Sequence, residues 1–191
     1  MNKSELSLFK KIPVITTERL VLRKMLPADA DDMFEYAESP IVTQYLLWDP
    51  HVSRRFTHSY LKFLQGQYAA GAFFDWAVTL ADSGKMIGTC GFAAIDLEND
   101  TGEMGYVINP DFWGMGYATE ALGRVMSFGF GVLGMHRIYV RIMSGNLASE
   151  RVAKKCGMRH EATLYSSLLV KGEYRTIKIY AILRDEFYGK R

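Results

Sequence analysis

Residues 102–121 read Gly-Glu-Met-Gly-Tyr-Val-Ile-Asn-Pro-Asp-Phe-Trp-Gly-Met-Gly-Tyr-Ala-Thr-Glu-Ala, and no other stretch restricts the fold as much. Glu103 to Asn109 has strand character and stops at Pro110. Ala118, Leu122, Val125, Met126 and Gly129 then share one face at helical spacing. The chain must therefore pass from a strand, through a loop carrying Gly114 and Gly116, into a helix. The first amides of a helix have no partner within it and stand at the positive end of its dipole. Two residues without side chains let an anion approach them, which suits a pyrophosphate. An ordinary strand–turn–helix with two glycines is the plain alternative. A P-loop is excluded because Gly116 is followed by Tyr117-Ala118 rather than Lys-Ser/Thr. A dinucleotide fingerprint fails too, since Thr119 occupies the third glycine position and the preceding strands read as antiparallel.

The flanking pattern sets the rest of the fold. Leu20, Leu22 and Met25, with Val14, Ile15 and Val21 nearby, predict a first strand. Pro27 and the carboxylates after it suit a helix start, with Ser39-Pro40 as its stop. Phe56, Tyr60, Leu61, Leu64 and Tyr68 predict a second helix from near Ser53. Phe74, Trp76, Val78 and Leu80 alternate with Asp75, Ala77 and Thr79, and Asp82 to Lys85 turns the chain into a partner strand, Met86 to Ile95. Beyond the central helix, with Gly134 as its stop, come a strand (His136–Met143), a short helix (Leu147–Lys155, capped by Gly157) and a hairpin (Ala162–Val170, Tyr174–Leu183). The order β-α-α-β-β-β-α-β-α-β-β predicts an α/β (α+β) mixed sheet in one domain over 14–188, after a leader at 1–13.

Composition excludes several classes. The 191 residues carry 23 basic and 21 acidic side chains, with no basic arm, so we expect no nucleic-acid partner. Cys90 and Cys156 are far apart and read as reduced thiols, and the scattered His51, His58, His136 and His160 give no metal spacing. Glu5 and Lys10-Lys11 break any signal-peptide pattern, and the longest apolar run is far too short for a membrane span, so a cytoplasmic protein without a membrane partner is expected.

Several weak motifs in one order make a more specific signal. Trp113-Gly114-Met115-Gly116-Tyr117-Ala118-Thr119-Glu120-Ala121 resembles the acetyl-CoA motif of the GNAT superfamily, usually written Gln/Arg-x-x-Gly-x-Gly/Ala. Gly116 and Ala118 match its last two fixed positions, whereas Trp113 stands where Gln or Arg is commonest. Arg19 to Arg23 resembles the first strand of the Rim-type ribosomal-protein N-terminal acetyltransferases. Asn146-x-x-Ser149, Lys155-Cys156-Gly157-Met158 and Tyr180 to Phe187 resemble later segments of that branch, the last of them its final strand.

The resemblance implies a central mixed sheet whose fourth and fifth strands, Glu103–Asn109 and Arg137–Met143, splay to admit acetyl-CoA. It implies that backbone around Tyr106, Val107 and Ile108 pairs with pantetheine, and that amides of Trp113, Gly114, Met115, Gly116, Tyr117, Ala118 and Thr119 hold the pyrophosphate. The chemistry needs a base for an amine that is mostly protonated, a donor for the oxyanion and a proton for the thiolate. Glu103 is the candidate base, acting through water, although a carboxylate beside a turn needs no role. Asn146 is the candidate contact to pantetheine or acceptor, or simply an N-cap. Ser149 is the candidate donor to the thiolate, because Ala153 falls where many relatives carry an acid tyrosine. Arg151 could reach a phosphate or the adenosine, or be a surface residue. Tyr45 to Trp48, near Phe34, falls where relatives place acceptor loops. The implied acceptor is first a protein N-terminal α-amine and second a small amine such as a polyamine, an amino acid or an antibiotic. A non-catalytic acyl-CoA-binding module stays open, and a monomer and a homodimer are both compatible.

Overall fold

The computed structural model describes residues 10–189, so residues 1–9 of the expected leader lie outside the described residues. The strands are β1 (Ile15–Thr16), β2 (Leu20–Arg23), β3 (Phe74–Leu80), β4 (Met86–Asp96), β5 (Thr101–Ile108), β6 (Arg137–Met143), β7 (Arg159–Val170) and β8 (Glu173–Leu183). The helices are α1 (Ala30–Ala37), α2 (Pro40–Thr43), α3 (Arg54–Ala70), α4 (Tyr117–Gly131), α5 (Leu147–Lys155) and α6 (Arg184–Gly189). The strands form one mixed sheet in the order β1-β2-β3-β4-β5-β6-β8-β7. Among the described residues, no helix is long and apolar enough to cross a membrane.

Backbone contacts group the chain into two compact units, the first comprising residues 10–91 with Tyr106–Val125. Its core holds Leu20, Leu22, Met25, Leu61, Leu64, Trp76, Met86 and Ile87. Ser53 caps α3 by accepting from the Phe56 amide, and Gly71 ends it in the left-handed region at φ 68°. β2 pairs antiparallel with β3. The alternation in β3 predicts one polar face, yet Trp76, Ala77, Val78 and Thr79 are all buried. The Thr79 hydroxyl is satisfied by donating to the Val21 carbonyl at 2.7 Å.

The second unit comprises Phe92–Gly105 and residues 126–189. Here β5 pairs parallel with β6 from Thr101↔Arg137 to Met104↔Val140. β6 and β7 flank β8 as antiparallel partners. The β7–β8 hairpin turns on Lys171 and Gly172, both at positive φ (51° and 81°), the pattern of a two-residue primed turn.

The structure departs from the sequence expectations in four places. Ile15–Thr16 forms a short edge strand of its own, so the strands expected as fourth and fifth are β5 and β6. Pro40 starts the helical turn α2 with Ser39 before it, because proline is preset for a first helical position. The central helix ends at Gly131, three residues before Gly134. Arg184 to Phe187 is helical rather than strand: the Glu186 carboxylate turns back to accept from the Leu183 amide at 2.8 Å, and Asp185 and Glu186 suit a first turn.

Candidate active site

The loop between β5 and α4 is exposed and is held from below. Asn109 is buried, and its side chain accepts from the Asp111 amide at 3.1 Å, capping the turn at Pro110–Phe112. The Trp113 indole donates to the Ile108 carbonyl at 2.6 Å, so that carbonyl is already engaged, while Tyr106 and Val107 stay part-buried. Gly114 and Gly116 sit at φ 78° and 86°, where an L side chain is strained, and Trp113 to Gly116 all face solvent. A side chain at Gly114 would meet open space. The Glu120 amide donates to the Gly116 carbonyl at 3.0 Å, and Tyr117, Ala118 and Thr119 form the opening turn of α4. An exposed turn of this shape at the head of a helix fits a diphosphate.

One ion pair braces that turn from the side. Arg19 donates to the Met115 carbonyl at 3.0 Å and to Glu120 at 2.8 Å, and its guanidinium lies 4.4 Å from the centre of the Tyr117 ring. Glu120 also accepts from the Thr17 hydroxyl at 2.6 Å. Burial opposes ionisation of Glu120, but the bonds from Thr17 and Arg19 outweigh it and hold the carboxyl below its ordinary value. Sequence reading used Arg19 only as part of a strand motif. Nothing local to it announces a partner that lies 101 residues away.

Glu103 lies on the paired part of β5, opposite Tyr139 on β6. It accepts from Arg141 at 2.7 Å and from the Tyr139 hydroxyl at 3.3 Å. Burial and the Glu103 charge together push the Tyr139 phenol up. The parallel ladder stops at Met104↔Val140, whereas β5 runs on to Ile108 and β6 to Met143. Adding a side chain at Gly105 would meet nothing within 4 Å.

At the start of α5, Asn146 is the N-cap, its side chain accepting from the Ser149 amide at 3.1 Å. Ser149 is part-buried and Arg151 is exposed. Ala153 is fully buried, so its methyl belongs to packing. A charged cluster that sequence reading missed follows. Buried Glu150 accepts from Lys178 at 2.7 Å and from the Tyr180 hydroxyl at 2.7 Å. Lys178 foremost, then Tyr180, hold the Glu150 carboxyl below its ordinary value.

A second missed cluster lies in the first unit, at the start of β3. Asp75 accepts from the Trp76 amide at 3.0 Å and bonds the Thr89 hydroxyl, and burial pushes its carboxyl up to about 7 against those two bonds. The Tyr68 hydroxyl donates to the Asp75 carbonyl at 2.7 Å. The buried Tyr36 hydroxyl has no hydrogen-bond partner among the described residues.

These features define a class, a mixed-sheet protein with an exposed, glycine-bearing turn at the head of a helix that suits an anion. Comparison with known proteins narrows it. Residues 19–159 match the family described as acetyltransferase (GNAT) domain. The chain is 30% identical over 173 residues to an uncharacterized N-acetyltransferase p20 of Bacillus licheniformis, covering 91% of this chain and 97% of that one. A crystal structure of a GNAT-family acetyltransferase from Bacillus anthracis superposes with a TM-score of 0.81 at 28% identity, covering 91% of this chain and 99% of that one. RimL, a ribosomal L7/L12 α-N-protein acetyltransferase solved with coenzyme A, has the same fold, with a TM-score of 0.77 at 20% identity over 91% of this chain and 99% of that one. The chain belongs to the GNAT acetyltransferase family and is an acetyl-CoA-dependent N-acetyltransferase.

Proposed function

We propose that the chain holds the diphosphate of acetyl-CoA on amides of the turn from Gly114 into the head of α4, the expected Trp113 amide being already given to the Pro110 carbonyl at 3.0 Å, and acetylates a primary amine, first a protein N-terminal α-amine and second a small amine. The exposed turn of two left-handed glycines at the head of α4 supports the cofactor half most, since it offers several amides and a helix dipole to one anion. Acetyl-CoA supplies the activated thioester, and the chain supplies the rest. Backbone of Tyr106, Val107 and Ile108 orients the pantetheine arm, with the engaged Ile108 carbonyl left out of that role. Arg151 pairs with a phosphate or the adenosine edge. Asn146 fixes the first turn of α5 and steadies the acyl-pantetheine end. Ser149 gives a proton to the departing thiolate. Glu103 draws the proton from the acceptor ammonium through a water. Glu103 is paired with Arg141 at 2.7 Å, and a carboxylate so engaged acts better by polarising a water than by direct abstraction.

Two acceptor classes follow from the family resemblance. Likeness to RimL supports a protein N-terminal α-amine. The test is thiol release from acetyl-CoA with a panel of small amines and of peptides with free N-termini. Turnover of peptides above that of small amines is expected. Turnover of small amines alone would move the choice to that class. Saturable acetyl-CoA binding without thiol release on any acceptor would make the chain a binding module.

A further inference from the structure

Glu150 is a buried carboxylate on α5, and no step above uses it. An ionised group taken out of water needs partners, and Glu150 finds two on one strand. Its Oε1 accepts from the Lys178 ammonium and its Oε2 from the Tyr180 hydroxyl, each at 2.7 Å. Bonds to a carboxylate are short and directional, so both oxygens are fixed. Tyr180 is itself held. The His160 ring lies 5.2 Å from it, centre to centre, and the ammonium of Lys154, one turn along α5 from Glu150, lies 6.0 Å from its centre. Lys178 and then Tyr180 keep the Glu150 carboxyl below its ordinary value, so it is ionised at neutral pH and has no proton to give.

Stability alone is a weak reason for such a cluster. Apolar side chains of similar size commonly join two elements as well as a buried ion pair does. What the cluster adds is a fixed geometry, and the register shows where. Tyr180 lies opposite Val140 on β6, and Val140 is where the β5–β6 ladder stops. Lys178 lies opposite Ile142, two residues beyond that point. The cluster therefore ties α5 to β8 at the level where β5 and β6 part. On the helix side, the Glu150 amide donates to the Asn146 carbonyl at 3.1 Å, and the Asn146 side chain accepts from the Ser149 amide at 3.1 Å. Asn146 to Glu150 is thus one closed turn, and Glu150 is an anchor for it on the sheet.

We propose that Glu150 is a positioning residue: bonded to Lys178 and Tyr180, it sets the place of the Asn146–Ser149 turn, and with it the hydroxyl that protonates the departing thiolate. This rests on the role given to Ser149 above. Glu150 acts through the turn and exchanges no proton.

The test uses the full chain and an acceptor that the thiol-release panel turns over. Glu150→Asp keeps the charge and shortens the arm by roughly 1.5 Å, one carbon–carbon bond. A misplacement of about 1 Å costs up to about 100-fold, so kcat should fall by about 30-fold. The KM for acetyl-CoA should change by less than about twofold. Tyr180→Phe removes one of the two bonds and leaves the ring, so it should fold as the wild type does and lower kcat by about fivefold. In a Ser149→Ala background, Glu150→Asp should lower kcat no further, because the group being placed is gone.

A cluster that only stabilises would lower the melting temperature of both variants and leave the kcat of the folded chain unchanged; that result overturns the proposal. A full further loss of kcat in the Ser149→Ala background overturns it as well. Should Glu150→Asp not fold, Tyr180→Phe decides by the same comparison. Wild-type kcat in Ser149→Ala alone is the failure of the Ser149 role. The anchor is then judged on Glu150→Asp by itself: a loss of kcat at constant KM for acetyl-CoA upholds it, and no loss refutes it. If no acceptor is turned over, the Asn146 and Ser149 amide shifts on adding acetyl-CoA decide. Changes seen in the wild type and lost in Glu150→Asp uphold the proposal; changes absent from the wild type, or kept in Glu150→Asp, refute it.

Discussion

The turn at 113–119 and the cluster around Asp75 are built from opposite materials. The turn presents main chain, and its side chains stay out of the way: Gly114 and Gly116 have none, Met115 is 53% exposed, and the Trp113 indole is tied back to the Ile108 carbonyl. The Asp75 cluster presents side chains from α1, α3, β3 and β4, and its main chain is consumed by ordinary bonding. A main-chain site recognises charge and shape that every acetyl-CoA molecule shares. A cluster built from side chains can be remade by single substitutions, whereas a main-chain turn cannot.

The contrast breaks most easily at Gly116. Gly116→Trp should reduce acetyl-CoA affinity by about 100-fold or more, since the ring would occupy the diphosphate's place; calorimetry measures it, and an unchanged circular dichroism spectrum checks the fold. Glu103→Gln comes next, with kcat lowered by about 100-fold and the KM for acetyl-CoA nearly constant, as expected for a group acting on a proton rather than on the cosubstrate. Equal rates in steady state would remove Glu103 from the chemistry. Arg19→Ala should weaken acetyl-CoA binding by about tenfold, because the turn loses its tie to the Met115 carbonyl and to Glu120. Met115→Ala should change the affinity by less than about threefold, for only its main chain is used.

The Asp75 side of the contrast has a signature in stability. Its folded-state carboxyl lies near 7 against an ordinary 3.8, so the folded chain binds the extra proton between those values. Stability is then highest toward the lower end of that window and falls as pH rises through about 7. Asp75→Asn should flatten this dependence in thermal melts. A melt of the wild type that is flat between pH 5 and 8 would show that the carboxyl is not held in apolar surroundings.

The same contrast explains what could be read from the sequence. Gly114, Gly116 and the apolar face of α4 are neighbours in the chain, so strand, turn and helix were all legible together. Leu147–Lys155 and the turn at Lys171-Gly172 were legible for the same reason, since caps and turn residues act locally. The brace from Arg19 to Glu120 and the Glu150–Lys178–Tyr180 cluster were hidden, because each joins residues far apart in sequence through tertiary packing. Asp75 was the hardest to see. In an alternating strand it occupies a position that reads as solvent-facing, and only the helices packed over β3 make it a carboxyl without a counter-charge. The α6 segment misled for a related reason: its apolar residues continue the strand pattern, and the turn is made by one side chain, Glu186, reaching back to Leu183.

Backbone amide shifts during a titration with acetyl-CoA test the central claim most directly. The account predicts that the largest changes fall on Gly114 to Thr119 and saturate with the calorimetric affinity. Saturable binding that leaves those amides unmoved, with the changes concentrated elsewhere, would contradict it.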